Sequence, residues 1–492
     1  MTPDTRTKTK NTAPGVSFCA ALAAVAMGAA AATYQDAAAA DISPGISVKF
    51  RRLAQLPSTA TISTASVANA VNITKHPALP LSVSGSAYNR WLTVADSRGR
   101  VYLVNAASYK PGVTNPNRTI VDFRVSTQEL DVGDVTSGKS ELGVRQFTYH
   151  PNFAKSGTKG YLKAYSLSCH AISTRTLADA VALNHNAPPG APTRCDNVLR
   201  EWTMDPSTMR ASSPRQVLRW PQLHGNHGPD ALVFDPATKL LYIAVGDGGS
   251  QNDPYDVSQD PNYLYGKILR IDPTEPGATP ASNMAIADEG TYSYPIDNPY
   301  AAPGDAGRDS IYVIGLRHPE TMIKDGAELL VFDIGGAKRD PLPPFEEINV
   351  LKLNGDEGQN FGWDIAEGRF PSNTATVPPV AGYAHVTDAL TAIVGGAAPE
   401  SGAFAGKVIL GDIVSGEIYY GDRAAMKLAR SWDTPMVPLQ QFVMHNNAGK
   451  PQTLMGAFGR NSRVDLRLTE IGSGRVIGVS KQKGIVFEII PF

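Results

Sequence analysis

The sequence predicts an all-β fold of the β-propeller class, and three observations carry that expectation. From about Ile46 onward, short apolar strands alternate with Gly- or Asp-containing turns. These recur as about six units of roughly 40–70 residues, a period that suits the blades of a propeller. Glycine (45) and proline (37) are abundant while charged residues make up only 18% of the chain. That balance suits many short strands joined by loops more than a helical bundle. A pair of β-sandwiches or a barrel is the competing architecture.

The units follow in order. RWLTVADSRGRVYLVNA (90–106) is the first, and VRQFTYHPNFAKSGTKGYLKAYSL (144–167) with NVLREWTMDP (197–206) the second. The third runs from His224 to Asp272, strand, turn, strand, polar loop, strand, with GDGG at the end of its second apolar run. Next come SIYVIGLRHPETMIKDGAELLVFDIGG (310–336) with FEEINVLK (345–352), then KVILGDIVSGEIYYGD (407–422) and VDLRLTEIGSGRVIGVSKQKGIVFEII (464–490). No Pro/Ser-rich linker interrupts this text, so residues 41–492 read as a single domain. Insertions at 170–194 and 282–306 read as loops on the propeller faces.

The first 40 residues read differently. Arg6, Lys8 and Lys10 precede an Ala-rich apolar stretch from about Val16 to Ala32, and small residues continue to Ala40. This is the pattern of a secretory leader cleaved before Asp41, with an uncleaved anchor as the alternative. A periplasmic or secreted location is the expectation, with no membrane span in the mature chain. Cys19 falls in the leader, leaving Cys169 and Cys195 to form one disulfide in an oxidising compartment. The formal net charge is −1 and no basic stripe stands out, which argues against a nucleic-acid partner. No CxxCH haem motif and no CxxC zinc pair is present.

Four stretches offer polar groups at strand ends: Glu141 with the strand after it, the His227 and Asp247 loops, Arg317-His318-Pro319, and Arg463 to Arg467. Strand ends of different blades converge on a propeller axis, so these groups are expected in one cleft. Acid, imidazole and guanidinium together suggest an anionic ligand held by arginine with proton abstraction nearby. His227 is the expected base and Asp247 its orienting partner, both counted as catalytic; His224 is the alternative base.

The ordered set ELGVRQFTYHPNF, NHGPDALVF, LYIAVGDGG, YGKILRID, IGLRHP, FEEIN and NFGW resembles the soluble quinoprotein glucose/sorbosone (aldose sugar) dehydrogenases. The resemblance runs from about Gly85 to the C-terminus. It implies a six-bladed β-propeller with long loops on the cofactor face, pyrroloquinoline quinone (PQQ) at the top centre and calcium beside it. It places His227 on the family's catalytic histidine and Arg317 on the arginine beside the cofactor. His318 stands where that motif usually has asparagine. Glu141 falls at the cofactor edge, Arg463 and Arg467 near the late carboxylate-binding arginines, and Gly335 and Gly336 on the carbonyls that hold calcium. A sugar-like substrate and an external electron acceptor, a quinone or cytochrome, are the implied partners.

Two departures stand out. The family's late carboxylate-binding lysine maps to Val414 or Ser415, and its sugar-stacking aromatic segment has only Tyr383 and His385 as candidates. His150 and Trp363 read as structural. The rival readings are a propeller binding module without turnover and, less favoured, a metal-dependent lactonase.

Overall fold

The computed structural model describes residues 42–56, 60–62, 65–67, 70–75, 91–105, 118–122, 142–172, 187–206, 210–277, 280–301, 308–336, 344–370, 375–385, 391–459, 463–481 and 483–492. The expected leader (1–40) and Glu141 lie outside the described residues.

The fold is all-β and propeller-like. Four four-stranded sheets succeed one another along the chain, each hydrogen-bonded largely in sequence order. Their first strands are Ala70–Lys75, Val144–Tyr149, Pro229–Phe234 and Pro319–Asp325. Eight further strands form one sheet, which begins at Ile393–Ala397 and ends at Leu466–Glu470, and two small hairpins pair Ala60–Ile62 with Ala65–Val67 and Met284–Ile286 with Ser293–Pro295. In the middle of the eight-stranded sheet, the N-terminal strand Ser43–Gln55 pairs in parallel with Gln440–Met444 and antiparallel with Ile485–Pro491. The two ends of the described chain therefore share one sheet, which satisfies edges that would otherwise be open.

The four first strands, together with Ile393–Ala397 and Leu466–Glu470, neighbour one another in a closed ring of six. They line an axial cavity of about 450 Å³. The sequence explains which face of each strand turns inward. Arg145, Asp230, Glu320 and Arg467 each take the second position of an inner strand and line the axis. The second and third strands of the sheet that begins at Pro229–Phe234, Leu241–Val245 and Lys267–Ile271, are buried along their whole length; the former is a continuous apolar run, and the latter carries Lys267 and Arg270 among its apolar residues. Tyr165, Leu167, Leu199 and Trp220 of one sheet pack on Leu232, Leu241, Ile243 and Leu269 of the next. His150 is structural, as expected: its ring packs 5.1 Å from Phe234 and accepts the Asn152 N–H at 3.0 Å.

Cys169 and Cys195 form the expected disulfide, with Cα atoms 5.9 Å apart across paired strands. The bridge closes a loop with a sequence separation of 26. Replacing both cysteines by serine is expected to cost about 3–4 kcal/mol, because the unfolded chain regains the loop's freedom. Urea unfolding of the double variant against the oxidised protein checks this.

Candidate active site

Strand Pro229–Phe234 pairs with Leu241–Val245, with Pro229 opposite Val245. The loop entering the first strand and the loop leaving the second therefore emerge at the same end of the sheet. That topology brings His227 to Asp247: Nδ1 lies 2.7 Å from Oδ1. With the carboxylate accepting, Nδ1 carries the proton and Nε2 is the basic nitrogen. The Gly249 N–H donates to the same carboxylate at 2.9 Å and the Trp363 indole N–H at 3.1 Å. Trp363, expected to be structural, thus fixes the second oxygen of Asp247. His224 makes no such contact. Its amide donates to the Gly248 carbonyl and its ring stacks on Tyr255, so His227 is the histidine coupled to the acid.

The charges of the pair follow from their surroundings. Burial, reinforced by the Arg317 guanidinium, holds the His227 imidazole below its ordinary value despite the pull of Asp247. Burial pushes Asp247 up, but His227, Arg317 and the Gly249 amide more than reverse this, leaving the carboxyl below its ordinary range. A neutral imidazole held by a carboxylate at neutral pH is the state a general base requires.

The backbone here is strained. His227 sits at φ +50°, and Ser250 to Asp253 all have φ between +41° and +73°. Gly249 (φ +98°) is obligatory, since a Cβ there would meet Asn226 Oδ1 at 2.4 Å and His224 Cβ at 2.9 Å.

His318 lies beneath the base, its ring stacked 4.9 Å from that of His227. Only 2% of it is exposed, and its Nε2 is hydrogen-bonded to Asp230. Asp230 is also paired with Arg145, while Glu320 takes Arg467 at 3.0 Å and Arg145 at 3.5 Å. Sequence reading missed Arg145, Asp230 and Glu320, which join the base to the axial cavity. Asp230, His318 and Glu320 offer ligand atoms within 4.8 Å of one another. Two guanidiniums already compensate the two carboxylates, however, so the group reads as a buried charge network.

The Arg317 carbonyl accepts the Asp247 N–H at 2.7 Å, which holds Arg317 and His318 beside His227. Both their amides donate to Asp333, at 3.0 and 2.6 Å. The Arg317 guanidinium lies 5.4 Å over the Trp363 ring and donates to the Ile334 carbonyl at 3.0 Å. The next two residues are Gly335 and Gly336. The Gly336 N–H donates to Glu367 at 2.5 Å, and a Cβ on Gly335 would meet the Phe345 carbonyl oxygen at 2.2 Å. Their carbonyls accept no backbone hydrogen bond among the described residues.

The late arginines divide. Arg467 is committed to Glu320 at one wall of the cavity, whereas Arg463 pairs with Asp465 and remains 39% exposed. Tyr383 requires correction as a sugar-stacking candidate. It is buried, with its hydroxyl donating to Asp412 at 3.2 Å, so its ring has no open face to offer. His385 is half-buried and its Nε2 lies 2.5 Å from Glu346. Val414 and Ser415 form a turn capped by Asp412.

The sequence profile of the glucose/sorbosone dehydrogenases matches residues 124–409, more than half of the chain. The chain belongs to that family. Among curated relatives, HIPL1 protein of Arabidopsis thaliana is 27% identical over 268 residues, 51% of this chain and 36% of that protein. HIPL2 protein of the same plant is 25% identical over 291 residues, 53% of this chain and 40% of that protein. The match thus spans less than half the length of either relative. In fold, the chain is similar to the soluble aldose sugar dehydrogenase of Escherichia coli in its apo form. The TM-score is 0.57 at 15% identity, covering 91% of this chain and 100% of that one. A glucose dehydrogenase gives 0.55 at 14% identity, covering 90% and 98%. The holo PQQ domain of pyranose dehydrogenase from Coprinopsis cinerea gives 0.50 at 12%, covering 91% and 98%.

Proposed function

We propose that this family member is a PQQ- and calcium-dependent oxidoreductase that oxidises an aldose or related hydroxyl compound and passes electrons to an external quinone or cytochrome. The observation that carries the reading is the His227–Asp247 pair, deprotonated at Nε2 and set on the same face as Arg317 and the Gly335–Gly336 turn. The eight-stranded sheet is read as two four-stranded blades joined at their outer strands, which with the other four sheets makes six. Export through the leader, and a periplasmic or secreted location, belong to the same proposal.

The residues present suit the two groups. Arg317 has a buried Nε without a partner among the described residues, a donor available to an oxygen-rich ligand. The paired glycine carbonyls suit calcium, which favours oxygen ligands, and the Oε2 of Glu367 beside Gly336 is buried without a partner among the described residues. When bound, the quinone supplies a hydride acceptor and calcium polarises its oxygen. The chain's own part is proton handling and positioning. His227 Nε2 takes the proton of the reacting hydroxyl. Asp247 and Trp363 hold the imidazole in the required tautomer, and Arg317 offers a fixed positive charge where negative charge accumulates.

The reading is tested by incubating the protein with PQQ and calcium, then following dye reduction with a panel of aldoses. Turnover supports it; cofactor uptake without turnover would favour a binding module. The pH dependence has a definite sign. Because the His227 pKa is lowered, the base form persists through neutrality. The acid limb of kcat/KM is therefore expected below about pH 6.5, the ordinary histidine value. A limb above that value would contradict the assignment.

A further inference from the structure

Lys267 opens the third strand of the sheet that carries His227, with Val245 opposite it on one side and Ile314 on the other. Those two neighbours lead directly into Gly246–Asp247 and into Gly315–Arg317. The lysine therefore stands between the strand ends that deliver Asp247 and Arg317 to the candidate site. Main-chain hydrogen bonds tie those ends together. Gly266 donates to the Gly246 carbonyl at 2.9 Å, Leu316 to Gly266 at 3.1 Å, and Asp247 to Arg317 at 2.7 Å.

Lys267 is 0% exposed and makes no ion pair among the described residues. Its ammonium donates instead to three main-chain carbonyls: Val257 at 2.7 Å, Ser258 at 2.9 Å and Tyr265 at 2.6 Å. That uses all three of its donors, one more than a neutral amine offers. The Asp253 carboxylate grips the same segment from its other side, accepting the Val257 N–H at 3.0 Å and the Ser258 N–H at 2.7 Å. The Val257–Ser258 peptide thus has its N–H on a carboxylate and its carbonyl on an ammonium, so both ends of its dipole meet a charge. The Ser258 carbonyl also accepts the Gly315 N–H at 3.1 Å, which fastens the caged segment to the strand end before Arg317. Burying an ammonium is costly, and a methionine would fill the space without that cost. What the charge supplies is orientation, since it draws carbonyls of residues 257, 258 and 265 to one point.

We propose that Lys267 is a positioning residue: its caged ammonium fixes the 253–258 segment against the Gly315–Arg317 strand end, and so holds Asp247 where it orients His227. The same carbonyl cage is a seat for a small organic ammonium once the side chain is cut back. The proposal rests on His227–Asp247 as the base of the site, and its main readout is taken without cofactor.

The test is proton NMR of the full chain without added cofactor, following the hydrogen-bonded Nδ1–H of His227; His227→Gln identifies that signal by its loss. Burial, opposed by Asp253 and Asp260, pulls the Lys267 ammonium down to about 7, so spectra are taken below that value, where it carries all three protons. Lys267→Met keeps the bulk, removes the charge and should shift or broaden the signal. Lys267→Ala should do the same, and n-propylammonium, which replaces the atoms removed, should restore both the signal and the thermal midpoint. Sodium chloride at equal ionic strength and n-propanol, the uncharged mimic, should restore neither. An unshifted signal in folded Lys267→Met would overturn the proposal, as would no restoration of Lys267→Ala or equal restoration by n-propanol. If Lys267→Ala folds only with n-propylammonium the proposal stands; if it stays unfolded even then, the proposal falls. Dye-coupled turnover with PQQ and calcium is measured in parallel, and Lys267→Met should lose about 10- to 100-fold in kcat, the scale of a misplaced catalytic group. Unchanged turnover in that variant would contradict the positioning role. No turnover in the unaltered chain, with the signal responding as expected, would sustain the role and refute the quinone reading.

Discussion

His227→Gln is expected to lower kcat by about 10²–10⁴-fold, the usual contribution of a positioned general base. PQQ uptake should be almost unchanged, because the cationic groups and the paired glycine carbonyls lie elsewhere. Glutamine keeps a hydrogen-bonding side chain in the loop but has no basic nitrogen near neutral pH. Asp247→Asn should give a loss of similar order by a different route. Its amide can donate to Nδ1 and favour the tautomer in which Nε2 carries the proton, which leaves no base toward the substrate. The two losses should not add, since both remove the same function. Dye-coupled turnover of both single variants and the double variant, with cofactor binding measured in parallel, checks this. Unimpaired turnover in His227→Gln would remove the base assignment.

The second large effect falls on stability. Asp230 is buried and takes both Arg145 and His318. Burial pushes its carboxyl up, but Arg145 and His318 more than reverse this and hold it well below the ordinary range. Asp230→Ala removes from the interior the carboxylate that Arg145 and His318 share and is expected to cost about 3–5 kcal/mol. Removing the charges together, as Asp230→Leu with Arg145→Met, should recover much of the loss, because an apolar pair has no desolvation cost to offset. Urea unfolding of the two variants against the unaltered chain measures both figures. A cost below about 1 kcal/mol for Asp230→Ala would mean that water reaches this network freely. Since His318 stacks under His227, the same variant should also weaken turnover by releasing the ring beneath the base.

The sequence made some of this legible and hid the rest for identifiable reasons. His227, Asp247 and Arg317 stand in loops next to apolar strands, in Gly/Pro-rich text, where a polar side chain signals a site. Their convergence follows from strand pairing that a hairpin pattern already implies. Arg145, Asp230 and Glu320 sit inside or at the start of strands, where a charge reads as an ordinary solvent-facing position. Only closure of the six inner strands into a ring turns those positions toward a shared axis. Trp363 lies 116 residues from Asp247 in sequence, so no local pattern foretells its indole bond. Tyr383 misled because an aromatic near a polar loop suggests a sugar platform, whereas its hydroxyl is used inward on Asp412.

The most direct test of the whole account is an anaerobic absorbance titration of PQQ into the calcium-loaded protein, followed by addition of an aldose. The account expects saturable uptake of one equivalent per chain and conversion to the reduced spectrum on adding the sugar, with the second step lost in His227→Gln. No saturable uptake by the calcium-loaded protein would contradict it.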